Sequence, residues 1–383
     1  MRETNPTLAA PLDFSPARPA AAVGMTRDGI QQLADLFEQQ FQSHLPGAQL
    51  VVLRQGQVVF DRTGGLADLG RREPVTPHTS FLVFSIAKSF TAMAIHKLIE
   101  QGRVDFDAPV ATYWPEFGRH GKETATIRHT LLHQAGIPSA GMHWQVPLWP
   151  NWGLVTRSVA RTPAEFEPGT QSAYHLVNYG FILGEVVRRV TGQPVERYVA
   201  ETLLQPLGLV DSYLGAPPAS TPRPAKLYAG APEERSTAFV FNLPFIRRAV
   251  QPAAVFHTTA RDLAVFFQLL LNCGSYGGQQ LFQPETVTAA LSLGFEGHDA
   301  SVEMDLRWAY GFHLGGQDIP YGRFMGKGST SRTFGHFGQR SSMAWADPDS
   351  ELVVALTCNR LLSSADSRAR WQSISNAVWD AVA

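Results

Sequence analysis

Cysteine is nearly missing: Cys273 and Cys358 are the only two in 383 residues, far apart and without metal-like spacing. A disulfide framework is therefore not expected. An excess of one charge is missing too. The formal balance is −1, so nothing electrostatic points to nucleic acid or an anionic membrane as a partner. No apolar run approaches the length of a bilayer span. Met1–Gly24 is rich in Pro and Ala but has no basic start followed by an apolar block. No secretory signal is legible there, and a cytoplasmic protein is the expectation. No Gly-x-Ser-x-Gly occurs, which removes the strand-to-helix nucleophile elbow. What remains is a globular composition, 44% hydrophobic and 17% charged, in a chain longer than one core usually supports.

Periodicity divides the chain. Residues 1–25 read as a flexible lead. A helix follows over about Thr26–Ser43, with Ile30, Leu33, Phe37 and Phe41 on one stripe. Two β runs, Ala48–Leu53 and Gln57–Arg62, joined through Gln55-Gly56, predict a hairpin. Helical patterns recur near residues 87–101, 127–132, 178–190 and 261–271. Between Gly141 and Pro168 the chain is irregular and carries Trp144, Trp149 and Trp152, and Leu214–Val255 is proline-rich and ambiguous. The last third reads mostly as strands: Trp308–Leu314, Arg332–His336, Ser341–Ala346 and Leu352–Cys358. A closing helix around Trp371, Ile374, Val378 and Trp379 ends the chain. An α+β fold is implied: an antiparallel sheet built from both chain ends (26–84 and 256–383), with a mainly helical insertion at 85–255 and a site where the two meet.

Four stretches bear on chemistry. In Ser85-Ile86-Ala87-Lys88, a helix starting near Phe84 puts Ser85 in its first turn and Lys88 one turn on along the same face. The helix start favours developing negative charge, and the amine is a candidate to take the hydroxyl proton. Tyr174 follows a turn at Pro168-Gly169 and precedes a helix; it reads either as a proton relay or as an ordinary core or rim tyrosine. Gly335-His336-Phe337-Gly338-Gln339 lies between two strand runs, where a Gly allows close approach and the following N–H could serve an oxyanion hole. A simple strand kink fits equally well. His129 and His133 have helical ligand spacing, but no third ligand is evident, so structural roles are expected and no metal is called for.

These phrases, in this order, resemble the class C β-lactamase-like serine hydrolases, which include family VIII carboxylesterases, D-amino-acid peptidases and acyltransferases. The resemblance runs from about Gly47 to Arg360. It rests on Gln49–Asp68, the Thr79–Ala92 block around Ser85, Thr126–Pro138, Phe166–Thr170, Tyr179–Gly184 and Phe334–Gly338. It implies a β-lactamase/DD-peptidase-like fold and no cofactor. Ser85 would be the nucleophile, Lys88 and Tyr174 would share its proton, and the N–H groups of Ser85 and Gln339 would hold the oxyanion. Two departures bear on substrate. The family's Tyr-x-Asn reads Tyr174-His175-Leu176, and its Lys-Thr-Gly reads His336-Phe337-Gly338. An amide donor and a permanent cation are lost, which favours small or short-acyl carboxylic esters over lactams. Trp149, Trp152 and Phe337 are candidate walls of an acyl pocket. Lactam or amide hydrolysis and acyl transfer use the same residues and stay as alternatives. A non-catalytic scaffold of the same fold is the reading from another class.

Overall fold

The computed structural model describes residues 10–14, 19–43, 46–138, 146–217 and 222–383. Trp144 lies outside the described residues, as does most of the N-terminal lead. In chain order the elements that frame the site are α1 (Arg27–Ser43), β1 (Gly47–Arg54), β2 (Gln57–Asp68), β3 (Glu73–Pro74), α2 (Ala87–Glu100) and α3 (Ile127–Leu131). Next come α4 (Trp152–Arg161), α5 (Asn178–Thr191), α6 (Arg235–Asn242) and α7 (Ala260–Leu271). The chain finishes with β4 (Phe295–Asp299), β5 (Met304–Ala309), β6 (Phe312–Leu314), β7 (Phe334–Phe337), β8 (Met343–Asp347), β9 (Leu352–Cys358) and α8 (Ser364–Asp380).

The nine strands form one antiparallel sheet in the order β4-β5-β6-β7-β8-β9-β1-β2-β3. Its two halves come from opposite chain ends and join where β1 pairs with β9, from Ala48 opposite Cys358 to Arg54 opposite Leu352. The β1–β2 turn uses Gln55 and Gly56, both at positive φ, the conformation that matches strand twist. Leu50 and Val52 pack into the core under α1 and α8, while Val51 and Leu53 pack into the larger core on the other face. Burial on both faces explains why this strand reads as an unbroken apolar run rather than an alternating one.

Sequence patterning and structure differ at three places. The run expected as one strand over Trp308–Leu314 is a hairpin, β5 and β6, turning at Tyr310-Gly311. Gly311 has φ 113° and a Cβ there would collide with Ala92, so the turn presses directly on α2. Ser89 Oγ and His96 Nε2 bond the Gly311 and Tyr310 carbonyls, at 3.1 and 2.9 Å. The edge strand β4 was not foreseen: Phe-Glu-Gly-His-Asp has little strand propensity and owes its conformation to pairing with β5. Within the expected flexible lead, residues 20–23 form a 3-10 turn anchored by Val23 and Met25. Val23 is buried, and Met25 bridges to Val382 beside the end of α8. Among the described residues no helix is long and apolar enough to cross a membrane.

Candidate active site

The chain leaves a short strand at Phe81–Leu82, makes a 3-10 turn at Phe84–Ile86 and runs on as α2. Phe84 sits at φ 48°, a costly conformation for a bulky residue, of the order of 1–3 kcal/mol. Burial and an edge contact with Phe241 at 5.0 Å hold it there. That bend aims Ser85 outward at the mouth of α2. Helix spacing then brings Lys88 Nζ to 3.2 Å from Ser85 Oγ. The amine also donates to the carbonyls of Leu176 (2.8 Å) and Ala253 (3.1 Å). Lys88 is fully buried, and among the described residues no carboxylate pairs with it. Burial alone pushes its pKa well below the usual lysine range.

Tyr174 arrives from the other side. Its backbone N–H donates to Asp299 Oδ1 at 3.0 Å, and Ser172 Oγ donates to Asp299 Oδ2 at 2.7 Å. Two more N–H groups, of Ser301 and Val302, converge on the same Oδ1. The Tyr174 ring stacks flat on Trp308, 5.6 Å between centroids, and lies 4.6 Å from Lys88 Nζ. Burial drives the phenol pKa well above its ordinary value, partly offset by a hydrogen bond with Ser85. Hydroxyl, amine and phenol therefore meet at one helix mouth.

A family model described as Beta-lactamase matches residues 30–378. The chain belongs to the Beta-lactamase family. To this Beta-lactamase-family chain, the Esterase/beta-lactamase LipL of Mycobacterium tuberculosis (strain ATCC 25618 / H37Rv) is 33% identical, over 83% of this chain and 78% of that protein. A Putative D-alanyl-D-alanine carboxypeptidase of Escherichia coli (strain K12) is 26% identical over 88% of this chain and 83% of that one. Among solved structures, a family VIII carboxylesterase superposes with a TM-score of 0.79 at 27% identity, covering 92% of this chain and 98% of that chain. A penicillin-binding protein homologue from Caulobacter crescentus gives 0.75 at 29% identity, covering 94% and 99%. The β-lactamase/DD-peptidase-like fold expected from the sequence is thus the fold found.

In this Beta-lactamase-family site, Ser85 stands between two lobes. The larger, about 640 Å³, is walled by Phe84, Trp149, Leu176, Val240, Phe241 and Phe245. The smaller, about 300 Å³, is bounded by Tyr174, Tyr321, His336, Phe337, Arg368 and Trp371. Trp149 lines the larger lobe. Trp152 does not: its indole N–H donates to Glu185 Oε2 at 2.7 Å and its ring covers Gly184, so it serves the packing of α4 on α5. Phe337 faces the smaller lobe rather than the larger. His336 is buried, with its pKa pressed down to about 3 chiefly by that burial, so at neutral pH its ring adds no cation. A Cβ at Gly338 would collide with the Val83 carbonyl, so only glycine lets β7 come this close to the Ser85 turn. The next residue, Gln339, borders both lobes. Among the described residues neither the Ser85 nor the Gln339 N–H finds a protein acceptor.

His129 and His133 are not a metal pair. His129 belongs to the capping box of α3, and His133 Nδ1 accepts the His175 N–H at 3.1 Å. The described residues contain no metal-holding cluster. Sequence reading missed Asp299, Phe84, Val240 and Phe241. Only Asp299 carried a local signal, an Asp followed two residues later by Ser in a turn, and that pattern says nothing of Tyr174.

Two stability predictions arise here. Asp299→Ala leaves three backbone N–H groups, the Trp308 indole N–H and the Ser172 hydroxyl without their acceptor, so a loss of about 2–4 kcal/mol is expected in urea unfolding. A change within about 0.5 kcal/mol would remove Asp299 as the anchor of Tyr174. The second concerns acid. Burial holds His96 and His175 down to about 4 from a usual 6.5. The unfolded chain takes protons on these rings below pH 6.5 and the folded chain does not, so stability falls as the pH drops from 6.5 through about 4. Each ring contributes up to about 3 kcal/mol of that loss. Urea midpoints measured at pH 7 and pH 4.5 should differ sharply, and equal midpoints would contradict the burial of these imidazoles.

Proposed function

We propose that this chain is a serine carboxylesterase that hydrolyses carboxylic esters, small and short-acyl ones among them, through an acyl-enzyme on Ser85. The observation that carries the reading is the Ser85 hydroxyl held between an amine with no carboxylate partner and a tyrosine phenol, at the junction of an apolar lobe and a smaller one. A lysine buried without a counter-charge favours its neutral form, which can accept a proton. Ser85 Oγ attacks the ester carbonyl carbon as its proton passes to Lys88 Nζ. The N–H groups of Ser85 and Gln339 bind the oxyanion. The departing alkoxide needs a proton, and the Tyr174 hydroxyl supplies it, replenished from Lys88. Tyr174 borders only the smaller lobe, so the alcohol leaves there and the acyl group stays in the larger one. Water attacking the acyl-enzyme completes the cycle.

Ester rather than lactam chemistry is supported at the two motif positions by the neutral His336 and the aliphatic Leu176, which supply neither a cation nor an amide donor there; the cations that border the smaller lobe, Arg340 and Arg368, come from other elements. The LipL relative and the family VIII carboxylesterase neighbour accord with it. The test compares p-nitrophenyl butyrate with a chromogenic cephalosporin on the purified protein. Ester turnover should exceed cephalosporin turnover by at least about thirtyfold in kcat/KM, since a missing charged contact removes about 1.5–3 kcal/mol and a missing neutral amide contact about 0.5–1.5 kcal/mol. The reverse order would favour the lactamase reading.

A further inference from the structure

The two lobes differ in size and chemistry, and the difference bears on the acyl group. At about 640 Å³ the acyl lobe has more than twice the volume of the alcohol lobe. Among the described residues no charged side chain lines it; the polar groups of its lining side chains are the hydroxyls of Ser85, Ser236 and Thr237, the Gln339 amide and the indole N–H of Trp149. The lobe opens to solvent, so water occupies it when no ligand does, and burying apolar acyl surface against its walls releases that water favourably. An acetyl or butyryl group would leave most of it empty. Cavities of this volume suit apolar ligands of drug size.

The far wall extends the same surface outward. Val240 and Phe241 come from α6, and Phe245 follows on the next turn. Phe245 is 48% exposed, and Phe239, beside Val240 on α6, is 68% exposed. The apolar surface therefore runs from Ser85 through the lobe to the protein exterior without meeting a charge on the lobe wall.

Resting on the esterase reading, we infer that the acyl group this site selects is large and apolar, of roughly eight or more heavy atoms, as a chain or in rings, with Val240 and Thr237 among the residues that set the size limit. Short esters are accepted but fill little of the lobe. The sequence gives no sign of this lobe because Leu214–Val255, which supplies α6, carries no motif.

A series of p-nitrophenyl esters from acetate to decanoate, each below its solubility limit, tests this. The alcohol is constant, so only the acyl lobe is probed. Each methylene that becomes buried is worth up to about fourfold in kcat/KM, and a rise of at least about tenfold from acetate to octanoate is expected. Val240→Trp should lower the octanoate-to-acetate ratio by about tenfold or more, with fluorophosphonate labelling of Ser85 reporting an intact site. Thr237→Phe, on the same wall, should shift the ratio in the same direction and serves if the first variant does not fold. Acetate preferred over octanoate by the unaltered protein, or a ratio that neither folded variant changes, overturns the inference and leaves the esterase reading standing. No turnover of any ester together with no labelling would instead overturn the esterase reading, and this inference with it.

Discussion

Ser85→Ala is expected to lower ester hydrolysis by about 10⁴-fold or more and to abolish labelling by a fluorophosphonate. The size follows from what the hydroxyl does: it forms the covalent bond, so no neighbour can substitute by positioning alone. Ser236 also reaches the larger lobe, but among the described residues no lysine amine or tyrosine hydroxyl bonds to its side chain. A hydroxyl at its ordinary pKa is a weak nucleophile. The variant should fold. Ser85 is a small residue at 8% exposure, and Lys88 keeps its two carbonyl acceptors at Leu176 and Ala253. A stability change of about 1–2 kcal/mol is expected from the lost hydrogen bonds to Lys88 and Tyr174, readable as a shift of the urea midpoint with unchanged slope. Loss of activity with a native midpoint is thus the anticipated result. Retained hydrolysis, or labelling that moves to another serine, would place the chemistry outside this helix mouth.

How much of this could be read from the chain follows the range of the interactions. Ser85 and Lys88 are three residues apart on one helix, so helical spacing alone predicted their proximity. Gly102 was legible as the end of α2 for the same reason: at φ 65° it lets Arg103 N–H return to the Leu98 carbonyl. Tyr174 needed the resemblance, because what fixes it is Asp299, 125 residues away on an edge strand with little strand character. The Tyr310-Gly311 hairpin escaped because the apolar runs on either side merge into one pattern, and its cause is contact with Ala92 on a distant helix. Trp152 was misassigned as a wall because an indole in an irregular stretch gives no hint that Glu185 accepts from it. The sheet from both chain ends was readable in outline, since its central strands, β1, β8 and β9 among them, bury continuous apolar runs, whereas the edge strands β3 and β4 do not. The lining of the larger lobe was not, since Phe84, Val240 and Phe241 are apolar residues like any in the core.

Lys88→Met should cost about 10³-fold in kcat/KM, the usual range for losing a general base, and should change the pH profile in a way a merely structural role would not. With the amine buried and no carboxylate beside it, the neutral form is favoured and the acid limb of kcat/KM should lie well below the usual lysine range. Activity falls as the pH drops through that limb, because protonated Lys88 cannot take the Ser85 proton. Burial, which also raises the phenols of Tyr174 and Tyr179, lowers His133, His175, His313 and His336 and so presses the imidazoles near the amine toward their neutral forms. Lys88→Met should therefore flatten the limb along with lowering the rate. Tyr174→Phe tests the complementary role. If the phenol delivers the proton to the departing alkoxide, its loss should hurt an alkyl ester more than a p-nitrophenyl ester, whose leaving group needs little help. The opposite pair of outcomes, a limb that survives Lys88→Met and vanishes in Tyr174→Phe, would transfer the base to the phenolate. Because amine and phenol both contact Ser85, their effects should be far from additive, and the double variant should lose little beyond Lys88→Met alone.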